Sequence, residues 1–365
     1  MIVKPDTPDV VEKIRRFAAK PGYKQLVMRP GTYSWKCATR IEWNAGLEII
    51  ANGVFIENRL AWEPLLSADV RASFLSVKGL EICGSGAVIS SNAQGPKSDL
   101  DIRLDGLEGV LCGPLLHAPG EAVIRSTISN CDMHHDNKSI GVYLPNQVDK
   151  AVIRDCTFSL CKGAAIQVGS SGLTRFDQQH LLFDNVHVDG VAADDHGYAR
   201  GILAYGHHVT IRDSLFENIE ALEHLTGGMG TYTKAGMLKL IGNTYLDCNA
   251  TVKGSADPNS REQQEAMATH YLVSQNILRD TRGGDRSDGG IALYAQGGQC
   301  SENYIDGHNI GIRVEAEMQP LEFSYPIDIH GNVIMKRRHS AYYVRKPPRY
   351  LYVEGRHIEK EGIVG

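Results

Sequence analysis

Val209-Thr210-Ile211-Arg212-Asp213-Ser214 is the stretch that decides the fold. Apolar and polar residues alternate along it, the period-2 signature of a half-buried strand. The strand ends on an acidic residue suited to a sharp corner. The same ending recurs at Ser129-Asn130-Cys131, Arg154-Asp155-Cys156, Asp184-Asn185-Val186, Gly242-Asn243-Thr244, Gln275-Asn276-Ile277, Glu302-Asn303-Tyr304 and Gly331-Asn332-Val333. With Asp213 included, the central Asn or Asp recurs at spacings of 25, 30, 28, 30, 33, 27 and 29. Asp105-Gly106 and Cys83-Gly84 extend the series upstream.

Each repeat continues in the same way. A second short strand follows the corner, as in Thr157-Phe158 and Tyr245-Leu246. After a turn comes a third strand that opens on a small residue: Gly141-Val142-Tyr143-Leu144, Ala165-Ile166-Gln167-Val168, Gly201-Ile202-Leu203-Ala204, Gly290-Ile291-Ala292-Leu293 and Gly311-Ile312-Arg313-Val314. Three short strands cannot bury a core by themselves, but stacked repeats can, with like positions about 4.8 Å apart along the stack. A corner Asn tolerates left-handed backbone and can bond to its equivalent one coil away, so one residue is expected to do both. The fold expected is therefore all-β, a solenoid of about 10–12 coils with three short strands each.

This pattern, with its glycine-rich corners, resembles the right-handed parallel β-helix superfamily typified by pectate lyases, polygalacturonases and phage tailspikes. Two N-terminal features agree. Residues 9–18, Asp-Val-Val-Glu-Lys-Ile-Arg-Arg-Phe-Ala, read as a short amphipathic helix capped by Asp9, suited to covering the open end of the stack. Pro30-Gly31-Thr32-Tyr33 follows an apolar strand, and in this superfamily such a segment opens the first coil. The expected organisation is a capping segment over 1–22, the β-helix over 23–355 and a C-terminal tail over 356–365. The resemblance implies a monomer or a homotrimer, and fixes the fold rather than the chemistry.

Composition narrows the function. A formal charge of −5 without a long basic run argues against nucleic acid as partner. No apolar run approaches the length of a membrane span, and the start of the chain lacks the apolar segment of a signal peptide, which favours a cytoplasmic or virion-associated protein. The eight cysteines show no CxxC and no zinc-ligand spacing, so they read as buried reduced thiols.

A regular solenoid marks its site where insertions gather on one edge. The turns between second and third strands are extended and rich in ionisable groups at 133–138, 193–200, 220–224 and 282–288. Counted from their own corners, His135, Lys162, Asp195, Glu223, His224 and Arg286 fall at offsets of 5, 7, 10, 10, 11 and 10, which in register would align them on one edge. The candidate catalytic residues are thus His135, Lys162, Asp194, Asp195, His196 and Glu223. Tyr143, Gln167, Tyr198, Arg200, Tyr205, His224, Arg282 and Arg286 are candidates for binding substrate.

The expected ligand is a polysaccharide or oligosaccharide, acidic by preference. Exposed tyrosines stack on sugar faces. Asp132-Met133-His134-His135-Asp136 resembles the "DPHD" element of β-helix uronate epimerases and related lyases, which implies proton abstraction next to a uronate carboxylate, helped by cations. Asp194-Asp195 with Glu223 would instead suit glycoside hydrolysis by paired carboxylates, although the "NTD", "GHG" and "RIK" elements of polygalacturonases are missing. A non-catalytic glycan-binding module of tailspike type, or a small-molecule enzyme on the same scaffold, would also fit the pattern. No motif requires a cofactor or a bound metal; Ca²⁺ on Asp194, Asp195 and Glu223 is the one candidate. Residues 253–270 form the longest insertion, in which a short helix capped by Asn259 or Ser260 is expected.

Overall fold

The computed structural model describes residues 1–35, 41–58, 64–91, 99–120, 122–145, 148–169, 180–222, 228–253, 270–282, 289–294, 297–315, 326–337, 339–345, 347 and 350–364. They divide into two compact units, Met1–Gly169 and Ser170–Gly365.

In the first unit the chain winds as a parallel solenoid with three faces. The first face stacks Lys24–Met28, the leading half of Gly46–Asn58, the leading half of Phe74–Ser85, Leu100–Asp105, Ile124–Ser129 and the leading half of Val148–Lys162. The second face stacks Gly31–Trp35, the trailing halves of Gly46–Asn58 and Phe74–Ser85, Glu108–Cys112, Asp132–His135 and the trailing half of Val148–Lys162. Ile41–Trp43, Leu66–Ala68, Ile89–Ser90, Leu116–His117, Val142–Leu144 and Ala164–Val168 form the third.

The second unit winds in the same way. Its first face runs from His180–Asp184 through the trailing halves of Arg200–Arg212 and Met229–Ile241 to His270–Ser274, Gly298–Ser301, Ile327–His330 and Leu351–Val353. Its second face runs from His187–Ala192 through Leu215–Glu220, Thr244–Leu246, Ile277–Arg279 and Tyr304–Asp306 to Val333–Met335. Its third face takes the leading halves of Arg200–Arg212 and Met229–Ile241, then Asn249–Lys253, Ile291–Tyr294, Ile310–Glu315 and Ser340–Arg345.

Alternation puts one column of each strand inside. Ile211, Leu240, Val273, Cys300, Ile329 and Val353 are partners in register and all buried, as are Ile49, Val77, Leu104, Ile128 and Ile153 in the first unit. Burying each aliphatic side chain is worth about 1.5–3 kcal/mol. The column, repeated from coil to coil, is the core.

The corner differs from the expectation in one respect: left-handed backbone and the Asn ladder belong to successive residues. The left-handed residues are Asn130, Asp155, Asn185, Asp213, Gly242, Gln275, Glu302 and Gly331, with φ between 51° and 67°. The residue after each points inward. In the later coils it is Asn243, Asn276, Asn303 or Asn332, and the Nδ2 of each of the first three donates to the Oδ1 of the next at 2.8–3.0 Å. In the earlier coils the inward residue is Cys131, Cys156, Val186 or Ser214, and all four are buried. The repeat in the sequence therefore superposed two neighbouring columns, because Asn suits both jobs.

The ends are covered. The helix Val10–Ala18 buries Ile14 and Ala18, and the Ala18 carbonyl accepts from Asn44 N at 3.1 Å. Asp9 does not cap it through its side chain: Asp9 is left-handed, φ 51°, and only its carbonyl accepts, from Lys13 N. Below the helix, the buried Lys24 Nζ donates to the carbonyls of Lys20, Gly22 and Asn44. At the other terminus the expected tail is folded, since Gly362–Val364 pairs antiparallel with Tyr342–Val344. The 254–269 insertion, with its expected helix, lies outside the described residues.

Candidate functional site

In the first unit the strand Asp132–His135 takes in the first three residues of the turn expected over 133–138, and strand parity then decides which side chains face out. Asp132 and His134 face solvent, while Met133 and His135 face the core. His135 is fully buried, and its Nδ1 lies 3.1 Å and 3.0 Å from the carbonyls of Cys112 and Gly113. Carbonyls only accept, so Nδ1 carries a proton, and burial, which pushes the pKa down, favours the neutral ring. His135 therefore does not line a solvent groove, contrary to expectation. The exposed member of the pair is His134, with Nδ1 2.6 Å from Ser159 Oγ and Nε2 3.5 Å from Asp132. Lys162 ends its strand half-buried, its backbone N donating to Ser139 O. Tyr143 and Gln167 are register partners on the third face, and His117 stacks on Tyr143 with centroids 5.2 Å apart.

In the second unit Asp194 belongs to a turn. Its Oδ1 accepts from the backbone N of His196 and of Tyr198, both at 2.9 Å, and its Oδ2 is 3.6 Å from Arg200. These bonds give Asp194 a structural role in the turn. Among the described residues no three His, Cys, Asp or Glu side chains converge as a metal set. Asp195 and His196 are exposed. Arg282 lies on the second-face edge, 3.3 Å from Asp247 and 3.4 Å from Glu220. Glu223, His224 and Arg286 lie outside the described residues.

What the second unit does bring together is on its third face. One outward column pairs Leu203, Tyr232, Thr251, Ala292, Arg313 and Tyr343 from strand to strand. The next pairs Tyr205, Lys234, Lys253 and Tyr294, and beyond them Glu315 with Arg345. Thr251 and Ala292 are small and buried at 2% and 0% exposure, so they form a floor between larger neighbours.

Cations and rings interleave around that floor. Arg200 lies 4.6 Å from the Tyr198 ring centroid and 5.7 Å from that of Tyr232. Lys234 lies over Tyr205, Lys253 over Tyr232 and Tyr294, and Arg313 over Tyr294, all within 5.0–5.7 Å. Such contacts fix both partners in orientation. Glu315 holds Arg313 at 2.8 Å and Arg345 at 3.6 Å. Burial raises the Tyr205 phenol above its ordinary pKa. Tyr198, Arg200 and Tyr205 are among the residues expected from the sequence. Tyr232, Lys234 and Lys253 are not, although Gly230-Thr231-Tyr232-Thr233-Lys234 has the small-first alternation of a third strand.

Residues 117–254 match the family model described as the right handed beta helix region. No curated protein matches the chain. Among solved structures, PfbA, a surface adhesin of Streptococcus pneumoniae, aligns over 92% of this chain and 87% of its own, at 11% identity and a TM-score of 0.44. That likeness is too slight to carry a conclusion. No helix among the described residues is long and apolar enough to cross a membrane. The parallel winding of each unit and the family match over residues 117–254 agree on a β-helix fold.

Proposed function

We propose that the third face of the second unit binds an acidic polysaccharide. The observation that carries this reading is the interleaving of Tyr198, Tyr205, Tyr232 and Tyr294 with Arg200, Lys234, Lys253 and Arg313 around the Thr251–Ala292 floor. Tyrosine rings offer flat CH-binding surfaces with a polar tip, and the cations offer charge to carboxylates. The net charge of −5 is no obstacle, because attraction at a groove follows local charge.

The reaction we propose there is elimination. Solvent accepts the proton next to a uronate carboxylate, the cations hold the enolate, the bond to the leaving oxygen breaks as that oxygen takes a proton from Tyr205, and solvent then returns a proton to Tyr205. Tyr205, a phenol raised further by burial, is protonated at neutral pH and can supply that proton. The test uses polygalacturonate and alginate as probes. Elimination generates an unsaturated uronate with near-ultraviolet absorbance, hydrolysis generates reducing ends alone, and a binder generates neither. Lys253→Ala and Tyr232→Ala should each weaken binding about tenfold. Unchanged binding in both would overturn the site. Binding without absorbance would retain the site and overturn the reaction.

A further inference from the structure

The first face of the second unit carries a trough that the third-face site does not use. Its volume is about 640 Å³ and its lining runs from His208 to Asp328. It crosses five successive strands, or about 20 Å at the spacing of a parallel sheet. Length and volume suit a short extended oligomer.

Two outward columns line it. The first holds His208, Met237 and His270. His208 stacks on His180 with centroids 4.8 Å apart and planes 4° apart, and His207 meets it edge-on at 4.4 Å. The ring is thereby held as a flat wall, and Met237, 41% exposed, extends that wall with a polarizable thioether. The second column is Thr210, Lys239, Leu272, Gln299 and Asp328, which alternates hydrogen-bonding groups with an apolar surface. Gly298, φ 135°, lets the wall dip: a Cβ there would lie 2.4 Å from Tyr271 O.

The charge differs from that of the third face. The lining carries one formal cation, Lys239, and one formal anion, Asp328, itself 3.2 Å from His330, and burial with two neighbouring histidines lowers the His208 pKa. Flat CH-binding walls, scattered donors and acceptors, and balanced charge suit a ligand rich in CH and OH groups and without charge. We propose that this trough is a second glycan site, for a neutral oligosaccharide.

Xylohexaose, cellohexaose and maltohexaose titrated calorimetrically into the full chain test this. At least one should bind saturably, with little change when salt is raised about tenfold, because no ion pair is formed. His208→Ala and Leu272→Arg should each weaken it about tenfold, while Lys253→Ala leaves it unchanged. If Leu272→Arg does not fold, Met237→Ala replaces it. Absence of binding by all three probes, survival of binding in the trough variants, or steep weakening by salt would overturn the proposal. Polygalacturonate binding, measured on the same variants, should be unaffected, so failure here is distinguishable from failure of the third-face site.

Discussion

Asn276→Ala is expected to be among the most damaging single changes in the second unit. The Asn276 Oδ1 accepts from Asn243 N and Asn243 Nδ2, both at 3.0 Å. Its Nδ2 donates to Leu240 O, Ser274 O and Asn303 Oδ1 at 2.9–3.0 Å. After truncation Asn243 Nδ2 keeps Ile211 O, and Asn303 Oδ1 keeps Asn276 N. The buried Asn243 N–H loses its acceptor, at about 1–3 kcal/mol for an orphaned group, and the other bonds lost add about 0.5–1.5 kcal/mol each. Relaxation and regained side-chain freedom offset part of this, leaving a loss of about 4 kcal/mol. Asn332→Ala is the matched control. Asn332 is only half-buried and water can replace its bonds, so about half that loss is expected. The assay is urea unfolding followed by circular dichroism, with m compared between variants, since solenoids need not unfold in one step. A loss below about 1 kcal/mol for Asn276→Ala, or an equal loss for Asn332→Ala, would refute the ladder as a stabilising device.

Acid should destabilise the first unit through His135. Burial puts its folded pKa below the unfolded value of 6.5, so as pH falls through 6.5 the unfolded chain takes up protons first and stability drops. His117 and His208, also lowered by burial, act in the same direction; His135→Gln should flatten the pH dependence of urea midpoints, and an unchanged slope would show that His135 does not titrate on unfolding. Gly307→Ala should lose about 2–4 kcal/mol, since φ is 81° and a Cβ would lie 2.1 Å from Asp280 O, whereas Gly331→Ala, φ 65° with open space around it, should lose only the left-handed cost of about 1–2 kcal/mol. Equal midpoint shifts in the two alanine variants would show that the steric contact is relieved at no cost.

Strand order, the alternation of side-chain placement and the corner repeat were legible in the chain because they follow from local rules. Alternation in Val209-Thr210-Ile211-Arg212 fixes which side is apolar, whatever it packs against. The corner was half legible. Asn130 and Asn185 are left-handed and Asn276 and Asn303 are rungs of a ladder, and the letter is the same in both roles. Only backbone geometry separates them. His135 was misplaced for a related reason: its direction depends on where the strand ends, and a shift of one residue turns a side chain from solvent to core.

The sequence by itself determined that the chain repeats, that each repeat has three strands, and that its apolar columns must be buried by stacking, since no single repeat can exclude water from its own core. Tertiary structure decided which outward side chains meet. Tyr232, Lys253, Tyr294 and Arg313 are distant along the chain, and their convergence depends on register between strands, summed over turns of unequal length. Local propensity carries no information about that sum, so the cationic tyrosine face emerges only once the coils are laid one upon another.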